Sequence, residues 1–400
     1  MENGMNKNKI AMIGLNNAKN LGDPLICAST RHLLEQAMKE QGIDGEVEII
    51  ELLPDSLKKK KKQKKEGKNP VKAFLSRFRR LFQFAKELQI RQSDVRDSYL
   101  SYYREKLEGC SLIVFAGGGL IKYAQQENLN VSISGAIQAA KEKHIPVAFH
   151  ACGVEGYDKN NPGCKRLKEA INDETVKIVT TRDDFKTLSE CYKEREGLYI
   201  AKAADSAVFA GEILGVQKKE ASRLIGIGVI RGNIFENYGT RLQESRLVEI
   251  YGDVLKALKA EGREFRLFCN GYKPDYAFAK KVMEYAGLEE TYLLKRAESY
   301  EELVRQIAGF QGVLAARLHA CIISYSLEIP VVGLCWNDKL KYFGEEIGHP
   351  ERFLSPEDFS TEIIVNRVLK AIEEGYDEAA VKCYKETSKD SVSRIIALMK

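Results

Sequence analysis

The chain has 400 residues, 44% hydrophobic and 30% charged; that length suits two domains or one large one, and the composition excludes wholesale disorder. Its net charge of +5 is uneven: twelve Lys/Arg and one acid, Glu66, put +11 between Lys58 and Arg80, so the other residues together carry −6. That argues against a broad basic face for nucleic acid, and five histidines and nine cysteines without ligand spacing give no zinc site.

The opening segment, to Leu15, carries no signal-peptide pattern, because its apolar stretch begins a strand and lacks a cleavage site. The longest apolar runs fall far short of the roughly 20 residues that a membrane-spanning helix needs. Strands are expected at Ile10–Leu15, Val47–Leu52, Leu112–Ala116, Pro146–Ala151, Val176–Thr180 and Leu198–Ala203. Helices are expected between most of them, at Pro24–Gln41, Val131–Lys143, Cys164–Asn172 and Asp184–Tyr192. After a polar break at Gly211–Arg223 the alternation restarts. The next strands are Leu224–Ile230, Glu264–Cys269, Glu290–Leu294, Gly312–Ala316 and Ile329–Cys335. Their helices are Arg241–Glu261, Asp275–Ala286, Tyr300–Ala308, Leu318–Leu327 and Asp338–Ile347, and helical stretches at about 360–374 and 377–399 close the chain.

This alternation is the mark of parallel α/β domains whose strands are buried on both faces. The expected organisation is an N-terminal Rossmann-like domain, 1–212, with a basic insert at about 55–106. A second Rossmann-like domain, 222–375, follows, and a C-terminal helix, 376–400, that crosses back is one way to end the chain. Two such domains imply a cleft between them, with ligands beyond the carboxyl ends of the strands. Cys27, Cys152, Cys269, Cys321 and Cys335 sit in apolar contexts and read as small buried hydrophobes in a reducing cytoplasm, not as a disulfide framework.

The polar motifs fall at the strand ends. Gly14–Ile26 is a polar loop in which Asp23-Pro24 opens a helix, either an anion or sugar site or a well-capped turn. Gly117, Gly118 and Gly119 follow a buried strand and allow close backbone approach, but match neither the dinucleotide fingerprint nor the P-loop. His150 lies where a strand meets a loop; a lone histidine there is more often structural. Arg182-Asp183 begins a helix, and Arg182 has the planar fork for a phosphate or carboxylate, or for a salt bridge. Asp205 and Arg231-Gly232 follow further strands; Asp205 alone reads as a helix cap. The strongest segment is Leu314–Gly348. There Arg317-Leu318-His319 stands at the mouth of an apolar helix, giving fixed positive charge, a proton donor and a favourable helix terminus. A second polar cluster, Trp336-Asn337-Asp338-Lys339, follows the next strand.

As an ordered set these pieces resemble the polysaccharide pyruvyl transferase family. They are the N-x-x-x-N-x-G-D segment Asn16–Asp23, the Gly117–Gly119 loop, Arg182-Asp183, Asp205 and Arg231-Gly232. Above all they include Arg317-Leu318-His319, followed by Ile329-Pro330-Val331 and then Lys339 and Phe343. The resemblance runs from about residue 10 to 350. It implies a glycosyltransferase-B-like fold, two Rossmann-like domains facing a cleft, and a role in cell-surface glycan biosynthesis. The implied reaction moves a pyruvyl group from phosphoenolpyruvate to two hydroxyls of a sugar, releasing phosphate and leaving a cyclic ketal. Phosphoenolpyruvate is the donor substrate; neither a cofactor nor a metal is implied, and the acceptor is a glycan or lipid-linked sugar. By resemblance Arg317 and His319 take donor-binding and catalytic positions, and His150 is a further catalytic histidine. Arg182 is a second anion-binding arginine, and Leu318, Asn20, Gly22, Asp23, Gly117, Gly118, Gly119, Arg231 and Lys339 are substrate contacts. Asp183 or Asp23 orients an acceptor hydroxyl.

The segment from Lys58 departs from this pattern. Lys58–Lys68 reads as a solvated run, and Val71–Ile90 as an amphipathic helix that either lies on an anionic membrane surface or packs over the first domain. The first reading places the protein peripherally at the inner membrane face, the second simply in the cytoplasm; neither involves nucleic acid. Two other functions stay open: a nucleotide-sugar-dependent glycosyltransferase of the same architecture, and a non-catalytic glycan-binding protein.

Overall fold

A computed structural model of the chain describes residues 8–57, 95–122, 129–232, 234–235 and 242–400. The basic run and the amphipathic stretch, 58–90, lie outside the described residues. The chain divides into two units: Met1–Asn16, Leu33–Ala203 and Lys389–Lys400 form the first, Asn17–His32 and Ala204–Ser388 the second.

The first unit is built on six parallel strands: β1 (Asn8–Gly14), β2 (Gly45–Glu51), β3 (Leu112–Ala116), β5 (Val147–Cys152), β7 (Val176–Thr181) and β8 (Tyr199–Lys202), in the order β2-β1-β3-β5-β7-β8. Two short strands, β4 (Ile121–Lys122) and β6 (Val154–Glu155), pair beside it. Every residue of β3 and β5 is buried, because helices cover both faces of a parallel sheet. Phe115 and Phe149 stack between them with ring centroids 4.4 Å apart. The helices are the second half of α1 (Gly22–Glu40), whose first half counts with the second unit, and α2 (Val95–Lys106), α3 (Leu129–Glu142) and α4 (Pro162–Ile171). Asn161 caps α4 by accepting from the amides of Gly163 and Cys164, and Pro162 supplies the preset φ of its first turn. The expected helix at Asp184–Tyr192 is one α-turn, Phe185–Thr187, running into a wider turn, Leu188–Tyr192.

Within the stretch expected as a basic insert, about 55–106, α2 packs in the core of this unit. Tyr99 and Tyr103 are buried, the Tyr103 hydroxyl is 2.8 Å from that of Ser132, and Ser132 donates to the Leu52 carbonyl at 2.6 Å. Tyrosine reads as half-polar in a sequence, so a helix that buries tyrosines among charges shows a weak apolar stripe.

The second unit has five parallel strands: β9 (Ile225–Gly228), β10 (Phe265–Phe268), β11 (Gly312–Ala315), β12 (Val331–Leu334) and β13 (Phe353–Leu354), in the order β10-β9-β11-β12-β13. The strand expected at Glu290–Leu294 is instead a 3-10 turn at Glu290–Tyr292, with one bridge from Leu293 to Leu267. Tyr292 and Leu293 are half-buried against the core of this unit, but the turn interrupts the extended run that a longer pairing needs. The fifth strand is β13, two residues long and outside the expected set. The helices are α5 (Ala210–Leu214), inside the expected polar break, α6 (Glu244–Ala260), α7 (Lys273–Ala286), α8 (Tyr300–Ile307), α9 (Leu318–Ser326), α10 (Asp338–Glu346) and α11 (Thr361–Glu374). The last helix, α12 (Glu378–Ile396), starts in the second unit and ends in the first. All nine cysteines are free thiols, and the five named above are buried. Among the described residues no helix is long and apolar enough to cross a membrane.

Candidate functional site

In the second unit, Phe268, Gly228 and Ala315 stand level in the sheet. The chain therefore delivers Asn270, Arg231 and Arg317 to one edge, just past the carboxyl ends of β10, β9 and β11, where ligands of parallel sheets bind. Arg317 is the residue before α9, with an extended backbone (φ −96°, ψ 122°) and no side-chain cap, so that helix terminus carries no anionic cap of its own. His319 to Ser326 of α9 are all buried, and its two serines satisfy their hydroxyls on the Ala320 and Ile323 carbonyls of the same helix.

Arg317 is held by Asp275, a carboxylate with no solvent exposure. Nε donates to Oδ2 at 2.8 Å and Nη2 to Oδ1 at 2.9 Å; Oδ1 also accepts from the Arg231 amide at 3.2 Å. The guanidinium carbons of Arg231 and Arg317 lie 4.9 and 5.7 Å from the centroid of one ring, that of Tyr272.

His319, 6% exposed, has Nε2 3.8 Å from Oδ2 of Asp205, which is 2% exposed. The other carboxylate oxygen of Asp205 accepts from the Ala207 amide at 2.8 Å and caps the turn Ser206–Phe209. On its other side the His319 ring lies against Gly22, where a Cβ would come within 2.1 Å of Cγ and Nδ1. The neighbouring Leu21 packs on Gly271, whose φ of +80° and lack of a side chain allow the contact. Asn20 donates through Nδ2 to Oδ2 of Asp23 at 3.2 Å, folding the loop before α1. Leu318 opens α9 half-buried, Trp336 donates to the Ala316 carbonyl at 2.6 Å, and Lys339 is half-buried in the first turn of α10. Segment 20–23, Asp205, Arg231 and Arg317–His319 thus meet in one unit.

The remaining motifs meet in the first unit. Gly117 and Gly118 adopt φ of +33° and +72°, and the Gly118 carbonyl accepts from Leu120 and Gly153. Gly153 is tightly surrounded: a Cβ would meet Asp183 Oδ2 at 3.0 Å and the Gly118 carbonyl at 3.2 Å. Asp183, buried, accepts at Oδ1 from the amides of Val154 (2.6 Å) and Asp184 (2.9 Å) and the hydroxyl of Thr181 (3.1 Å). Arg182 beside it is 8% exposed. His150 is fully buried; its Nδ1 is 2.9 Å from the Ser391 hydroxyl, which is 3.1 Å from that of Thr180. That arrangement ties α12 to β5 and β7.

Three residues escaped the reading of the sequence. Asp275 and Tyr272 hold the arginines, and Asn270 is 1% exposed with neither amide atom hydrogen-bonded among the described residues. Asn270-Gly271 is a turn dipeptide right after a strand, which is a usable signal. Asp275 in a first helical turn looks like any acid placed for the helix dipole. Burial pushes the Cys269 thiol, next to Asn270, up to about 11, so it is protonated and inert. Among the described residues no group of three or more side chains is arranged to hold a metal ion.

The family model described as polysaccharide pyruvyl transferase matches residues 20–338. No curated protein matches the chain. Among solved structures, the chain is similar to a putative UDP-N-acetylglucosamine 2-epimerase from Listeria monocytogenes, with a TM-score of 0.56, 12% identity, and 98% of this chain and 95% of that one covered. It is also similar to the UDP-GlcNAc 2-epimerase from Neisseria meningitidis bound to UDP-GlcNAc (TM-score 0.54, 12% identity, 98% and 99% covered). A third is the UDP-GlcNAc 2-epimerase from Methanocaldococcus jannaschii (0.53, 12%, 91% and 92%). At these identities the likeness bears on the fold alone, two Rossmann-like domains of the glycosyltransferase-B type.

Proposed function

Because the chain belongs to the polysaccharide pyruvyl transferase family, whose model spans residues 20–338, we propose that it moves a pyruvyl group from phosphoenolpyruvate to two hydroxyls of a sugar. The observation that carries this reading is the pair Arg231 and Arg317 gathered on Tyr272, with Asp275 accepting from the Arg317 fork and the Arg231 amide. A small donor that bears both a phosphate and a carboxylate needs fixed, forked cations of this kind.

Chemically, the methylene carbon of phosphoenolpyruvate takes a proton, and the carbon bearing the phosphate becomes cationic. One sugar hydroxyl attacks it and gives up its proton. Phosphate then leaves, and the second hydroxyl attacks and loses its proton, closing the ketal. His319, with Nε2 3.8 Å from Oδ2 of Asp205, is the proposed acid. Leu318, Lys339 and the Asn20–Asp23 loop are proposed substrate contacts around it, with Asp23 or Asp183 orienting an acceptor hydroxyl. In the first unit, Gly117, Gly118, Gly119 and Arg182 are the proposed contacts. We read His150 as the residue that docks α12, since its ring is buried against Ser391. No cofactor enters this scheme. A cytoplasmic site of action, with 58–90 on an anionic membrane surface, rests on sequence alone; co-sedimentation with anionic liposomes at low salt tests it, and lack of binding removes it.

The deciding experiment incubates the protein with phosphoenolpyruvate and candidate glycans and measures acceptor-dependent phosphate release. Release abolished by Arg317→Ala and His319→Ala in folded protein supports the reading. No release, together with binding of a sugar nucleotide, points instead to a glycosyltransferase.

A further inference from the structure

Asp275 takes no part in the scheme above, yet Arg317 is built around it. Its carboxylate sits in the first turn of α7 without solvent exposure and accepts Nε–H and Nη2–H of Arg317 side by side. Burying two opposite charges is costly, and a buried ion pair gains little stability over apolar side chains of the same volume. Its placement therefore asks what else the pair does.

Three features answer. A guanidinium has five N–H groups, and Asp275 takes two, which leaves three for a ligand. Arg317 keeps 17% side-chain exposure where Asp275 has none, so the accessible part of the pair is the cation. The carboxylate also accepts the Arg231 amide, and the Tyr272 ring lies near both guanidiniums, so one acid anchors the two arginines relative to each other. The two-point contact with the carboxylate fixes the rotation of the Arg317 fork.

We propose that Asp275 is a positioning residue that presents the open edge of Arg317 to the anionic donor. This rests on the phosphoenolpyruvate reading and deepens it. It also makes a prediction opposite in sign to charge alone. Removing a negative charge beside a cation strengthens binding of an anion if charge decides. Losing the fixed geometry weakens it.

The test is the Kd for phosphoenolpyruvate by titration calorimetry for wild type, Asp275→Asn, Arg317→Met and the double variant. Expected is a loss of about tenfold for Asp275→Asn, a larger loss for Arg317→Met, and no additional loss when the first is added to the second, because Asp275 acts through Arg317. Tighter or unchanged binding in Asp275→Asn overturns the proposal, as do losses that multiply in the double variant. If Asp275→Asn fails to fold, Arg317→Lys serves: it keeps the charge and cannot bridge both carboxylate oxygens. Wild-type affinity in Arg317→Lys also overturns the proposal. Wild type that does not bind phosphoenolpyruvate sinks the functional reading, and this one with it. Wild type that binds, with Asp275→Asn unaffected, sinks this proposal alone.

Discussion

The imidazole of His319 lies against Gly22, so close that a methyl group there would stand 2.1 Å from Cγ and Nδ1. The glycine of the Asn20–Asp23 loop is thus a seat for the proposed acid. Gly22→Ala forces the ring or the start of α1 to move. Such overpacking costs about 1–3 kcal/mol, and a displacement of about 1 Å in a catalytic group costs about a hundredfold in rate. Thermal unfolding with a phosphate-release assay checks this. A variant that melts and turns over like the wild type shows that the ring does not depend on Gly22.

Asp205 does two jobs that one substitution separates. It caps the turn Ser206–Phe209 through the Ala207 amide, and it faces Nε2 of His319 at 3.8 Å. Asparagine caps as well as aspartate does, so Asp205→Asn keeps the turn and removes the charge. The melting temperature should hold within about 1 kcal/mol of stability, while turnover falls about a hundredfold. Turnover that stays at the wild-type rate removes Asp205 from the acid's surroundings.

The strands were legible wherever burial on both faces makes an unbroken apolar run; Leu112–Ala116 has the same limits in the sequence and in the fold. Legibility failed where that physics fails. β13 is two residues long, too short to carry a pattern, and Glu290–Leu294 has strand-like residues but folds as a 3-10 turn that leaves Tyr292 and Leu293 only half-buried on the core. The site residues at strand ends were visible one by one, because position after a strand is a local property. Their grouping was not. Nothing local tells that the loop at 20–23 joins His319 and Asp205, or that Asp275 reaches Arg317 across 42 positions. The carboxylate that organises the cluster looked like an ordinary helix-opening acid.

His150 and Ser391 give a third prediction. The ring is fully buried, and the hydrogen bond to Ser391 joins β5 to α12 within the first unit. Ser391→Ala leaves a buried imidazole nitrogen without that partner, a loss of about 1–3 kcal/mol. The expected result is a lower melting temperature with unchanged turnover per folded molecule well below it. Lost turnover at an unchanged melting temperature would return His150 to the reacting groups.

The cysteines test the packing behind the site. Burial pushes the Cys269 thiol up to about 11 and that of Cys335 to about 12, and it raises Cys321 further. Only the thiolate reacts, and with a raised pKa it stays scarce until the pH climbs toward that value. Cys383 is exposed on α12. Iodoacetamide at pH 8 followed by peptide mass spectrometry should therefore mark Cys383 first. Cys269, Cys321 and Cys335 should react only once denaturant opens the fold. Cys321 lies two residues beyond His319, so its modification in native protein would mean that α9 is not packed as described and that the acid at its start lacks a fixed place.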